Sequence, residues 1–72
     1  MHQGIFIKDY LQTRRYELAE VAELTGIPED RLHEVLKMEV VPGDVVAAIA
    51  FHIAGKMPED FFKLPGEGQP FG

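Results

Sequence analysis

The sequence contains no cysteine, serine, asparagine or tryptophan, and only two threonines. Hydrolases that use a serine or cysteine nucleophile are therefore excluded, and we do not predict an enzyme. The absence of cysteine rules out disulfides, and the N-terminus shows no basic and apolar leader, so nothing points to export. We expect a cytoplasmic protein.

Positive charge is also scarce. Seven Lys and Arg face twelve Asp and Glu, which gives a net charge of −5. That sign repels phosphate, so any nucleic-acid interpretation must overcome it. The apolar runs are too short for the ~18 residues that span a bilayer. With 46% apolar residues in 72, the composition predicts one small globular domain.

The centre of the sequence has a stripe of mostly apolar residues at helical spacing on both sides of one glycine. They are Leu18, Val21, Ala22 and Thr25 before it, and Leu32, Val35 and Leu36 after it. Gly26 can take the positive φ that ends a helix, and Pro28 suits the first position of the next. Ile27 is buried only if both helices fold over it. The stretch predicts a helix, a tight turn and a second helix.

Helical patterns elsewhere predict five helices and no sheet. We expect them at about residues 5–14, 17–25, 28–38, 44–55 and from 58 onward. Asp44 is the predicted cap of helix four, which carries almost no charge and should be the central core helix. His52 on that helix is expected to be partly buried or at the rim of the core, with a backbone partner. The domain would comprise residues 1–64, and the Gly- and Pro-rich residues 65–72 a flexible tail.

The stripes of these helices predict one shared core. Its expected members are Val21, Ala22, Ile27, Leu32, Val35, Ile49, Ala50 and Ile53. No other arrangement of the helices would hide these side chains from water.

Several segments, in this order, resemble the lambda-repressor-like (XRE) helix-turn-helix family. They are Ile7-Lys8-Asp9-Tyr10-Leu11, Glu20-Val21-Ala22-Glu23-Leu24-Thr25-Gly26-Ile27-Pro28, Leu32-His33-Glu34-Val35-Leu36, Pro42, Ile49-Ala50 and Pro58-Glu59-Asp60-Phe61-Phe62. The opening residues 4–11 are most similar to HigA-like antitoxin regulators. The resemblance covers residues 4–64 and implies a compact all-α, five-helix domain whose third helix enters the major groove of duplex DNA.

The sequence departs from this family where its members touch DNA. The family usually opens helix two with Thr or Ser followed by Gln, whereas Glu17 and Leu18 stand here. Leu18 is either the last residue of the helix-two stripe or an apolar spot on a surface that no longer meets DNA. Residues 28–39 hold four acids and two bases, a net charge of −2. A net-negative reading helix weakens phosphate contacts.

Candidate DNA-binding residues remain at two places. Arg14 and Arg15 precede helix two, where they could approach the DNA backbone or complement the C-terminus of helix one. On helix three, Arg31 could grip guanine, or else pair weakly with a neighbouring acid, Asp30 or Glu34. Carboxylates there could accept a hydrogen bond from cytosine N4. The candidate set is Arg14, Arg15, Glu29, Asp30, Arg31, His33 and Lys37.

Other groupings bear on metals and on assembly. The three histidines lack the spacing of metal ligands, so we predict no metal and no cofactor. Large apolar residues are unusually dense near the C-terminus, at Phe61, Phe62, Leu64 and Phe71. They either seal helix four or form a two-fold homodimer contact, which we predict at Phe61, Phe62 and Leu64.

Two functions fit these observations. The first is a small DNA-binding transcriptional regulator, a repressor or an antitoxin-like protein, with a toxin partner implied by the HigA-like resemblance alone. The second is a helix-turn-helix domain that has lost DNA binding and acts through protein contacts, with an acidic face that could dock a basic partner or occupy a nucleic-acid site. The helix spacing favours the first and the acidic third helix favours the second. We adopt the DNA-binding regulator as the expectation.

Overall fold

The computed structural model describes residues 1–62, and all regular structure in this range is helical. The helices are α1 (Gln3–Thr13), α2 (Leu18–Thr25), α3 (Glu29–Val35), α4 (Gly43–Ile49) and α5 (Pro58–Phe61). A π-helical turn, Ala50–Ala54, continues α4 and is called the π-turn below. The predicted all-α, five-helix fold is confirmed. The domain boundary at residue 64 and the tail 65–72 lie outside the described residues.

With the π-turn counted as part of helix four, the helix ends differ from the predicted ones by at most three residues. Pro28 is the N-cap of α3 rather than its first helical residue, while Pro58 opens α5 as predicted. The largest difference is at the end of α3, which stops at Val35 and not near Met38. The carbonyl of Met38 accepts a hydrogen bond from another helix instead.

One apolar core holds the helices together. Within residues 1–62 its buried members are Ile7, Leu11, Val21, Ile27, Leu32, Val35, Leu36, Val41, Val45, Val46, Ile49, Ala50 and Phe61. Six of the eight predicted core residues are among them, and Ala22 and Ile53 pack at the edge. No polar or charged side chain of the described range is buried. The core therefore depends on apolar burial alone.

Helix α4 and the π-turn supply the middle of this core. Ile49 and Ala50 are fully buried, as the sequence predicts for a central helix. Phe51 and His52 are exposed. Each lies two residues after a buried residue, Ile49 or Ala50, and a step of two residues turns a helical side chain to the opposite face. Of the two positions expected for His52, the partly buried one was therefore wrong.

The turn between α2 and α3 has the predicted geometry. Gly26 has φ 76° and donates its N–H to the Ala22 carbonyl at 2.9 Å. The Thr25 hydroxyl donates to the Val21 carbonyl at 2.7 Å and accepts from the Ile27 N–H at 3.3 Å. Ile27 is buried beneath the turn. The left-handed glycine is therefore confirmed.

The start of α1 is joined to the segment that follows α3. The N–H groups of Gln3 and Gly4 donate to the carbonyls of Glu39 and Met38 at 2.8 and 3.0 Å. The Gln3 side chain in turn accepts from the Val41 N–H at 2.9 Å. These bonds satisfy amides at the start of α1 that have no partner inside the helix.

Two further features complete this junction. His2 caps α1, because its Nδ1 accepts from the Ile5 N–H at 3.0 Å. Gly4 is buried, and a Cβ at this position would collide with the Leu36 carbonyl and lie 2.6 Å from the Met38 oxygen. Only glycine allows α1 to approach the backbone this closely.

Replacing Gly4 with alanine should therefore destabilise the domain by about 1–3 kcal/mol, because the backbone must separate to admit the methyl group. Chemical denaturation measures the loss. Gly43→Ala is the matched control, since a Cβ there meets nothing within 4 Å. If both variants unfolded at the same denaturant concentration as the wild type, the junction would not have the close contact described.

Replacing Gly26 with valine should cost at least about 1–2 kcal/mol, because a β-branched residue is poor at positive φ. No neighbour lies within 4 Å of an added Cβ, so the cost comes from the backbone conformation and not from crowding. Gly26→Asn should cost less, since asparagine tolerates this region. Equal melting temperatures for the valine and asparagine variants would contradict the assignment.

Candidate nucleic-acid interface

The outer face of α3 is more acidic than basic. Leu32, with its neighbours on the buried stripe, turns one side of the helix into the core. At 3.6 residues per turn, the residues opposite that stripe are Asp30 and Glu34, and Lys37 follows in the turn just after α3. All three are exposed. The surface turned away from the core therefore carries two acids and one base.

Arg31 lies on one flank of α3 and is paired with α4. Its Nη1 is 3.0 Å from Asp44 Oδ2, and its Nη2 donates to Asp44 Oδ1 at 3.3 Å. The expected ion-pair partners were Asp30 and Glu34, so the sequence prediction had the wrong partner. Both side chains of the pair stay about half exposed, at 46% and 64%.

Asp44 is not the cap of α4, which corrects a second prediction. Pro42 is the N-cap, without a side-chain cap bond, and Asp44 lies in the first turn. The hydrogen bond from the Arg31 guanidinium holds the pKa of Asp44 below its usual value. The carboxylate is therefore ionised at neutral pH and the pair persists there.

His33 and Glu29 lie on the other flank of α3. His33 Nε2 is 3.9 Å from Glu29 Oε2, one helical turn away, and both side chains are about half exposed. The separation is long and the attraction requires a protonated imidazole, so this is a weak contact. His33 is therefore free to turn toward a ligand.

His33 and Lys37 line a cleft of about 440 Å³ between α3, α1 and the start of α2. The lining residues are Lys8, Leu11, Gln12, Tyr16, Glu17, Leu18, His33, Leu36 and Lys37. Lys8 was not among the predicted site residues, because nothing in its local sequence separates it from other exposed lysines. Leu18 packs against the core while lining the cleft, which supports its interpretation as part of the helix-two stripe.

The two arginines at the end of α1 have different roles. The Arg14 guanidinium lies 3.6 Å from the centre of the Tyr10 ring, a cation–π contact. Arg15 has φ 62°, the left-handed conformation that usually selects glycine or asparagine. Both side chains are exposed beside the cleft residue Tyr16.

Backbone hydrogen bonds explain the conformation of Arg15. Its N–H donates to the Gln12 carbonyl at 3.0 Å, and the Tyr16 N–H donates to the Leu11 carbonyl at 2.9 Å. This pair of bonds is the Schellman closure of a helix. Arg15 therefore ends α1 and also presents a positive charge in front of α2.

Two of the three predicted dimer residues, Phe61 and Phe62, pack against α1 of the same chain. Phe61 is 1% exposed, with its ring 5.2 Å from that of Tyr10 and 5.8 Å from that of Phe6. Phe62 is half-buried, 5.2 Å from Phe6 in an edge-to-face contact. Leu64 lies outside the described residues. Phe61 therefore seals α5 against α1, and its side chain is not available to a second copy.

Residues 1–62 show neither a metal site nor a membrane-spanning helix. Among residues 1–62, no group of three or more His, Cys, Asp or Glu side chains is placed to hold a metal ion. No helix in this range is long and apolar enough to cross a membrane.

Comparison with known proteins identifies the family. No curated protein and no solved structure matches the sequence. The family model of the Cro/C1-type HTH DNA-binding domain matches residues 7–67, which is most of the chain and includes α2, Gly26 and α3. Domains of this type are DNA-binding regulators rather than enzymes as a rule. The chain therefore belongs to the Cro/C1-type helix-turn-helix family of DNA-binding domains.

Proposed function

We propose that this domain is a transcriptional regulator, a repressor or an antitoxin-like protein, that reads duplex DNA with α3 in the major groove. The observation that carries the proposal is the pairing of α2 and α3 across the left-handed Gly26, with Arg31 exposed on α3. A helix presented in this way fits the major groove of B-DNA.

Each candidate residue has a distinct role in this proposal. Arg31 is the base-reading residue, since its planar fork can donate two hydrogen bonds to guanine. His33 and Lys37, together with Lys8 across the cleft, approach one DNA backbone, and so do Arg14 and Arg15 from the end of α1. Glu29 or Asp30 accepts a hydrogen bond from cytosine N4.

A second candidate function rests on the acidic outer face of α3. Asp30 and Glu34 project opposite the buried stripe, where they would repel phosphate but attract a basic protein. The domain would then dock such a protein through α3 and leave DNA unbound. A toxin is one basic partner of this kind, as the HigA-like opening of the sequence implies. We place either form of the protein in the cytoplasm.

The regulator is further proposed to act as a homodimer, since a two-fold pair matches two half-sites on DNA. Phe61 cannot form the contact from inside the core. Phe51 and Met57, which precede α5, expose 55% and 49% of their surface and are the better candidates.

Sedimentation equilibrium should show a dimer, and Phe51→Glu should weaken its association. A wild-type protein that stays monomeric at all concentrations would contradict the proposed homodimer.

The DNA-reading function predicts a specific response to the removal of negative charge on α3 and in the segment that follows it. Replacing both Glu34 and Glu39 with glutamine removes two negative charges near the phosphates, so affinity for any duplex should rise several-fold at low salt. The Glu39 carbonyl bond to Gln3 is unaffected, because only the side chain changes. Fluorescence polarisation with a labelled duplex, at several salt concentrations, measures the change.

Glu59→Gln is the control for position, since it removes one negative charge on α5, outside the helix-turn-helix, and should change affinity less per charge removed. If neither the wild type nor the double variant associated with duplex DNA at about 50 mM salt, the DNA-reading function would be rejected. Weaker capture of a basic protein by the double variant would then favour the second candidate function, in which the domain docks a basic protein through α3.

A further inference from the structure

The Arg31–Asp44 pair uses only one edge of the guanidinium group. Asp44 contacts Nη1 at 3.0 Å and Nη2 at 3.3 Å, which is a two-point contact at the end of the fork. A guanidinium has five N–H donors in a fixed plane, and this contact occupies one on each terminal nitrogen. The edge formed by Nε and Nη2 keeps two parallel donors for another ligand.

The two helices that carry this pair are fixed in the core. Arg31 precedes Leu32, which is fully buried, and Asp44 precedes Val45, which is also fully buried. The backbones of both charged residues are therefore held by their neighbours. An exposed arginine without such a partner samples many rotamers. Ordering that side chain on binding costs conformational entropy, which lowers affinity.

We propose that Asp44 is a specificity-determining positioning residue, which holds Arg31 so that its Nε–Nη2 edge meets the O6 and N7 atoms of one guanine. The proposal rests on the DNA-reading function above. Guanine presents those two acceptors side by side in the major groove, at the spacing of a guanidinium edge. Asp44 itself touches no base and acts through Arg31.

Asp44 has opposite effects on affinity and on specificity. Its negative charge, close to the DNA surface, opposes phosphate binding and lowers affinity for every sequence. Its contact with Arg31 orders the guanidinium and raises discrimination at one base pair. These two effects separate a positioning role from a purely electrostatic one, because a charge alone changes affinity without changing base preference.

The test is selection of bound sequences from a randomised duplex pool, followed by titration of the selected site and of a variant of that site lacking the guanine. The wild type, Asp44→Ala, Asp44→Asn and Arg31→Ala are compared.

Asp44→Ala should bind the duplex that lacks the guanine as tightly as the wild type or more tightly, and its preference for guanine should fall about tenfold. Arg31→Ala should lose preference at the same base pair, and the double variant Arg31→Ala with Asp44→Ala should lose no more. Asp44→Asn should have a guanine preference between those of the wild type and Asp44→Ala, since its amide oxygen still accepts a hydrogen bond from Arg31.

Glu34→Gln is the matched control, because it removes one acidic charge on α3 without touching the pair. It should raise affinity and leave the base preference unchanged. Unchanged guanine preference in Asp44→Ala, or a loss at a base pair other than that of Arg31→Ala, would overturn the proposal while leaving DNA binding intact. No association of the wild type with any duplex would reject the DNA-reading function and this proposal together.

Discussion

The hydrogen bonds between the start of α1 and the chain after α3 determine how the charged surface is arranged. The Gln3 and Gly4 amides lack partners within α1, and the Met38 and Glu39 carbonyls lie beyond the end of α3. The hydrogen bonds between them give these amides and these carbonyls partners at the same time. Without the bonds, the amides at the start of α1 would have no partner in the protein. The contact fixes α1 against α3, and it thereby sets Lys8 across the cleft from His33 and Lys37.

α3 carries more acids than bases, and its basic side chains lie beside acidic ones. Asp44 is 3.0 Å from Arg31 on one flank, and Glu29 is 3.9 Å from His33 on the other. The pairs differ in consequence, since a two-point contact with a guanidinium fixes its plane, whereas the longer contact leaves the imidazole mobile. An acidic protein can in this way keep one cation ordered for a specific contact while its overall field stays negative.

What the sequence predicts correctly depends on short-range rules. Gly26 and Pro58 act on the backbone within one turn, and the buried stripes repeat within one helix, so these features are readable from a single stretch. The Arg31–Asp44 pair joins residues 13 apart, and the Gln3–Val41 bond joins residues 38 apart. Neither is encoded in a local pattern, because each exists only once the helices have packed. Phe61 shows the same limit, since its burial depends on rings supplied by α1.

Arg15 connects stability to the charged surface. A glycine at this left-handed position would close α1 with less strain, by roughly 1 kcal/mol, while preserving the same backbone bonds. The chain instead has an exposed arginine there, in a protein with only seven Lys and Arg residues. Strained residues kept at a surface commonly have a functional reason, and here the side chain adds positive charge in front of α2. The proposed contacts of Arg15 and Lys37 with phosphate would account for that cost, whereas a role in ending the helix would not, since glycine would perform it equally well.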